Sequence, residues 1–136
     1  MRKKGPFKMK NIVILGAGTA GTMMANRLSG QLPSNEWSLS IVDQYAAHYY
    51  QPGFLFIPFG IYGEKDVVRP KRKYLPKGVS YIQEEIDVIE PAENQVRTKS
   101  GTVLPYDILI IATGSKIAPD EVDGLIGPGW RRDIFD

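Results

Sequence analysis

Apolar positions along the chain fall into short blocks separated by polar turns. Residues Asn11 to Leu15, NIVIL, form an aliphatic, β-branched run that periodicity alone does not separate from a helix. The glycines that follow mark it as a strand, and its continuous apolar character as one buried in a parallel sheet. After a sharp turn at Gly16, the residues Ala20, Met23, Met24 and Leu28 recur at spacings of three and four. They form one stripe of a helix that starts near Thr19 and that Gly30 is placed to end. Pro33 to Glu36 make a polar loop, and Trp37 to Val42 reads as a second parallel strand ending before Asp43. Residues 11–43 thus predict a β-α-β unit with a right-handed crossover.

Val79–Gln83 and Ile86–Glu90 continue the strand pattern. Turns at Pro91–Asn94 and Ser100-Gly101 set Ile86–Glu90 apart from Gln95–Lys99 and Thr102–Pro105, which predicts an antiparallel meander. Asp107–Ala112, DILIIA, reads as another buried parallel strand running into Thr113-Gly114. Residues 44–63 break the pattern. They contain no Asp, Glu, Lys or Arg, yet hold Tyr45, Tyr49, Tyr50, Phe54, Phe56, Phe59 and Tyr62, interrupted by Pro52, Gly53, Pro58 and Gly60. A connection this long with little secondary structure is expected where it covers a ligand. The RPKRKY stretch, Arg69–Tyr74, reads as a solvated basic face.

The length of 136 residues bounds the chain to one domain, too short for two dinucleotide-binding domains of ordinary size. Its 43% hydrophobic content is enough to fill a core. The longest strictly aliphatic run, Ile108–Ala112, falls far short of the roughly 20 apolar residues that cross a bilayer. Net charge is +2, but Arg2, Lys3, Lys4, Lys8 and Lys10 supply five cations with no acid among them, so the remainder is slightly acidic. Residues 1–9 therefore read as a basic extension, and an acidic body argues against a nucleic-acid partner. With no cysteine, disulfides, cysteine metal sites and thiol chemistry are excluded within these residues. His48, the single histidine, reads as a packed loop residue, and one histidine makes no metal site.

Candidate chemistry begins at Gly16-Ala17-Gly18-Thr19-Ala20-Gly21, a GxGxxG string between a predicted strand and a predicted helix. Gly16 permits the tight turn, Gly18 lets backbone approach a diphosphate, and Gly21 lets the helix sit close on the sheet. Amides at the helix start then hold the phosphates. Asp43 lies 22 residues after Gly21 at the end of the second strand, where a carboxylate accepts from ribose hydroxyls and repels a 2′-phosphate. NAD or FAD is therefore preferred to NADP. Ala112-Thr113-Gly114 follows a strand expected in the same sheet, which places small residues at the same ligand-binding edge.

Taken together, VILGAGTAGTMMANRL, IVDQYAAHYYQPGFLFIPFG and YDILIIATGSKIAP, with the trailing GLIGPGW, make the chain resemble a known flavoprotein group. It is similar to the N-terminal part of the sulfide:quinone oxidoreductase and flavocytochrome c sulfide dehydrogenase group, among the flavoproteins with two dinucleotide-binding domains. The likeness covers about residues 10–136, and His48–Gly53, HYYQPG, is its most discriminating segment. The resemblance implies FAD as cofactor, with the pyrophosphate on Gly16, Gly18, Thr19 and Ala20 beside the packing glycine Gly21, and the adenosine ribose on Asp43. It further implies Gln51, Pro52 and Gly53 near the flavin ring, backbone around Glu85 and Ile86 at the adenine, and Ala112, Thr113 and Gly114 against the nucleotide.

The activity implied is that of an oxidoreductase passing two electrons from sulfide, through a cysteine pair and FAD, to a quinone or cytochrome. The implied location is the cytoplasm or, for the longer enzyme, the periphery of a membrane. A type II NADH dehydrogenase, a ferredoxin reductase and a non-catalytic nucleotide-binding fragment remain alternatives. The expected architecture is α/β, a Rossmann-like parallel sheet with a small antiparallel β-meander over residues 10–136. It is expected to be an incomplete FAD/NAD(P)-binding domain, ending before the return strand, the second nucleotide-binding domain and the amphipathic C-terminal elements of the group. Without cysteine it is expected to hold the phosphate and ribose end of a flavin site and no complete catalytic centre. Its uncovered sheet edge predicts pairing with a second copy.

Overall fold

The computed structural model describes residues 8–116, 118–121 and 123. In chain order the elements are β1 (Lys10–Leu15), α1 (Thr19–Ser29), β2 (Trp37–Val42), β3 (Ala47–Tyr49), a 3-10 segment Gln51–Phe56, α2 (Glu64–Val67) and β4 (Val68–Pro70). A second 3-10 segment, Lys71–Tyr74, leads to β5 (Ser80–Ile82), β6 (Ile86–Glu90), β7 (Gln95–Thr98), β8 (Val103–Pro105) and β9 (Ile108–Ile111). A short 3-10 turn at Pro119–Glu121 follows. Most of the basic extension and the GLIGPGW motif lie outside the described residues.

Four strands form a parallel sheet in the order β5-β2-β1-β9. Leu15 stands beside Val42 on one side and Ile111 on the other, so three strands finish at the same level. Strand alternation then divides the core. Ile12 and Ile14 of β1, with Leu39 and Ile41 of β2, face α1 through Ala25, Met24 and Leu28. Val13, Leu15 and Val42 point the other way, against Val96, Ile86, Ile89 and Leu104 of the antiparallel β6-β7-β8 meander. Each fully buried side chain such as Ile14 or Val42 contributes about 1.5–3 kcal/mol relative to exposure. One sheet thus carries a helix on one face and the meander on the other, and this holds its carboxyl edge open.

Several expectations change. Val79–Gln83 shortens to β5 and joins the parallel sheet beside β2. DILIIA is parallel but not buried: β9 is an edge strand among the described residues, and Ile108 and Ile111 are 43% and 63% exposed. An aliphatic run reports affinity for a core, not whether a neighbour covers it. The aromatic segment is less irregular than its composition predicts, because β3 pairs antiparallel with β4, setting His48 opposite Arg69, and Gln51–Phe56 coils as a 3-10 segment. Gly30 ends α1 in right-handed backbone (φ −81°), so it caps without using glycine's left-handed freedom.

Candidate functional site

The site is built where β1, β2 and β9 end together. Gly16 N–H donates to Val42 O at 2.7 Å, and Ala112 N–H donates to Leu15 O at 2.7 Å, so both turns are hung on the sheet. Gly16 has φ +94°, and a Cβ there would lie 2.3 Å from the Ala112 carbonyl oxygen. Only glycine meets both conditions. Gly21 is equally confined: a Cβ would lie 1.9 Å from the Gly16 carbonyl oxygen, which is how α1 packs against the turn. Gly18 is the contrast. It stands at the start of α1 in extended backbone, no side chain caps the helix, and its Cβ position has no atom within 4 Å. Amides of the first turn, with the positive end of the helix dipole, therefore border open space.

That space is a cleft of about 1100 Å³. It is lined by Gly16, Gly18, Thr19, Ala20, Asp43, Gln51, Pro52, Glu85, Ile86, Ala112, Thr113 and Gly114, every sequence candidate except Gly21, which lies behind the bend, and Gly53. Gly53 is buried beneath the lining, where a Cβ would meet Val67 Cγ1 at 2.6 Å and Tyr50 Cδ1 at 2.8 Å. Glu85 is already engaged, its carbonyl accepting from Lys99 N–H at 2.9 Å and its carboxylate pairing with Lys99 Nζ at 2.5 Å. Just before it, the Glu84 carboxylate receives the hydroxyls of Thr98 (2.6 Å), Ser100 and Thr102 (3.2 Å). Those hydroxyls hold Glu84 below the ordinary carboxyl value.

Sequence reasoning missed Lys71. In the RPKRKY stretch Arg72, Lys73 and Tyr74 are exposed, but Lys71 is buried, with Nζ 2.6 Å from Asp43 Oδ2. Its place follows from β4 pairing with β3 and from Lys71 N–H donating to Ala46 O at 2.8 Å. Nothing local in the sequence separates Lys71 from Lys73. The signal was the uncompensated acid at Asp43, for which a buried cation is the expected partner. Asp43 Oδ2 also accepts Ala17 N–H at 2.7 Å, and Oδ1 accepts Tyr45 N–H at 2.8 Å. Asp43 therefore braces the glycine bend, and Oδ1 keeps one acceptor position. Nearby, burial and the Asp43 charge raise the Tyr81 phenol above 10, opposed by Arg72 over its ring.

Tyr45, His48, Tyr49 and Tyr50 also line the cleft and give it an aromatic wall. His48 packs at 5.3 Å on the Tyr74 ring, but it does so from strand β3 and not from the loop that the sequence predicts. Beyond the cleft the same segment is exposed at Leu55, Phe59 and Ile61.

A parallel sheet with a glycine bend, an uncapped helix start and a carboxylate at the end of β2 defines a dinucleotide-binding domain of Rossmann type. Residues 10–133 match the family described as pyridine nucleotide-disulphide oxidoreductase, and the chain belongs to that family, whose members are flavoproteins that bind FAD. It is 36% identical over 126 residues to the mitochondrial sulfide:quinone oxidoreductase of Dictyostelium discoideum, covering 90% of this chain and 28% of that one. The crystal structure of the sulfide:quinone oxidoreductase from Aquifex aeolicus superposes with a TM-score of 0.69 at 27% identity, over 80% of this chain and 25% of that one. A type II NADH:quinone oxidoreductase of Staphylococcus aureus is 27% identical over 77% of this chain and 26% of that one. The chain thus spans about a quarter of the length of the relatives it matches.

Proposed function

We propose that this chain is the FAD-binding portion of an enzyme that carries two electrons from sulfide, through FAD, to a quinone. Residues 10–136 form the domain in this reading and residues 1–9 an extension. The observation that carries it is the bend from Gly16 to Gly21 opening on the cleft. The empty Cβ position at Gly18 and the uncapped start of α1 fit a diphosphate, which Gly16, Gly18, Thr19 and Ala20 would hold. The free acceptor on Asp43 Oδ1 fits a ribose hydroxyl. Glu85 and Ile86 border the adenine end, Ala112, Thr113 and Gly114 close over the nucleotide, and Gln51 and Pro52 meet the ring system beside Tyr49 and Tyr50. The cleft, at about 1100 Å³, has room for a ligand of dinucleotide size.

Bound FAD supplies the electron chemistry. The residues of this chain bind and orient it, and with no cysteine among them, thiol chemistry falls to residues outside these 136. Sulfide as donor is supported by the Dictyostelium and Aquifex relatives and by HYYQPG bordering the cleft. NADH as donor is the second reading, supported by the Staphylococcus relative; both readings share quinone as acceptor. No helix among the described residues is long and apolar enough to cross a membrane; a lipid-soluble quinone as acceptor supports a location at a membrane surface. The outer edge of β9, with Ile111 exposed, supports pairing of copies there, which sedimentation as a strict monomer would remove.

Purified protein is expected to take up FAD with flavin absorbance and to release it, identified by chromatography, on denaturation. A colourless protein that retains no added FAD overturns the reading. Quinone reduction driven by sulfide or by NADH, assayed in the longest product containing this chain, then separates the two donors.

A further inference from the structure

We propose that Lys71 reads the vicinal hydroxyls of the nucleotide's ribose, as the donor half of a pair whose acceptor half is Asp43. The inference rests on the FAD-site reading above and adds to it a residue that discriminates among nucleotides. Lys71 and Asp43 both line the cleft, with Nζ and Oδ2 2.6 Å apart. Their side chains are only 8% and 11% exposed, so neither charge is freely solvated.

The carboxylate inventory decides what is left for a ligand. Oδ2 is filled by Lys71 and by Ala17 N–H, whereas Oδ1 has Tyr45 N–H and one vacant acceptor position. The ammonium carries three donors, and among the described residues it pairs with Asp43. A site with one vacant acceptor beside spare donors matches a hydroxyl, which donates once and accepts twice, better than it matches either an anion or a cation. Two adjacent hydroxyls match it best: one donates to Oδ1 while an oxygen of the pair accepts from Nζ. Lys71 is held for this by its own backbone, through the bond to Ala46 O, three residues after Asp43. Its position relative to the carboxylate is therefore set before any ligand arrives.

The test compares ADP with 2′-deoxy-ADP by isothermal titration. For the unmodified protein, ADP is expected to bind about tenfold more tightly, the change for losing one charge-assisted hydrogen bond. Lys71→Met is expected to weaken ADP and to compress the ratio below about threefold. Lys71→Arg, which keeps a charged donor, is expected to restore part of it. Should the methionine variant not fold, Lys71→Gln keeps an amide donor for Asp43 and loses the ammonium, and the same compression is expected. A lysine that only neutralises Asp43 would lower the melting temperature and leave the ratio at its original value, which overturns the proposal. Equal binding of the two nucleotides by the unmodified protein also overturns it, with the phosphate bend still standing. Failure to bind ADP at all removes the FAD-site reading itself.

Discussion

Backbone makes one wall of the cleft and side-chain rings make the other. On the first, Gly16 faces Ala112 and Gly21 backs onto Gly16, and the fit depends on atoms that are not there: at both a carbonyl oxygen lies where a Cβ would sit, whereas the Cβ position of Gly18 is open. Hydrogen bonds of 2.7 Å to β1 and β2 fix that spacing. On the second, Tyr45, His48, Tyr49 and Tyr50 line the cleft, and the Tyr49 and Phe54 ring centroids are 6.5 Å apart. Contacts of this kind adjust by rotating side chains. A given added volume therefore forces the chain itself to move on the glycine wall, and only a rotamer to move on the aromatic wall.

The sharpest way to break that contrast is Gly21→Ala. Its new methyl would meet the Gly16 carbonyl oxygen, a backbone atom, at 1.9 Å, so a stability loss of about 3 kcal/mol or more is expected from urea unfolding. An unchanged midpoint would show that the wall is not rigid. Gly18→Val acts at the same wall but in open space and at an ordinary φ of −74°. FAD affinity is expected to fall by about 100-fold while the melting temperature moves by only about 2 °C, because the branched side chain fills the diphosphate position. Fluorescence titration with FAD checks it, and retained affinity would remove the phosphate assignment.

On the aromatic wall, Gly53→Ala brings a methyl to 2.6 Å from Val67 Cγ1 and 2.8 Å from Tyr50 Cδ1, both side-chain atoms. A cost of about 1–2 kcal/mol is expected, smaller than at Gly21 because rotamers relieve it. A loss equal to that of Gly21→Ala would erase the difference between the walls. The smallest effect concerns the meander that carries Glu85 and Ile86. Hydroxyl bonds depress Glu84, and bonds from Arg97 and Gln95 depress Glu90, below the ordinary 4.5. A depressed carboxyl adds stability that is complete above the unfolded value and disappears as pH falls through the folded one. The urea midpoint is therefore expected to decline below about pH 4.5, and Glu84→Gln to flatten that decline.

The glycine wall was legible because its determinants are consecutive in sequence. A strand, a bend and a helix follow one another, and the absence of a Cβ is itself written in the residue type. Asp43 was found by its spacing, and Ala112–Gly114 by following an aliphatic strand. The aromatic segment was legible only as composition, since β3 acquires its structure from β4, about twenty residues away. The exposure of β9 was not legible, because an Ile-rich run looks the same whether or not a neighbour covers it.

By itself, the amino-acid order determined the β-α-β unit, the nucleotide-binding bend and the membership of a flavoprotein family, all of which rest on local spacing and on sterics at single residues. Tertiary structure alone decided that Lys71, one cation in a run of three, turns inward to Asp43 while its neighbours face water. The physical reason is electrostatic and long-range: a carboxylate held at the end of β2 is stable in a poorly solvated site only with a counter-charge, and which lysine supplies it depends on where β3 and β4 return the chain.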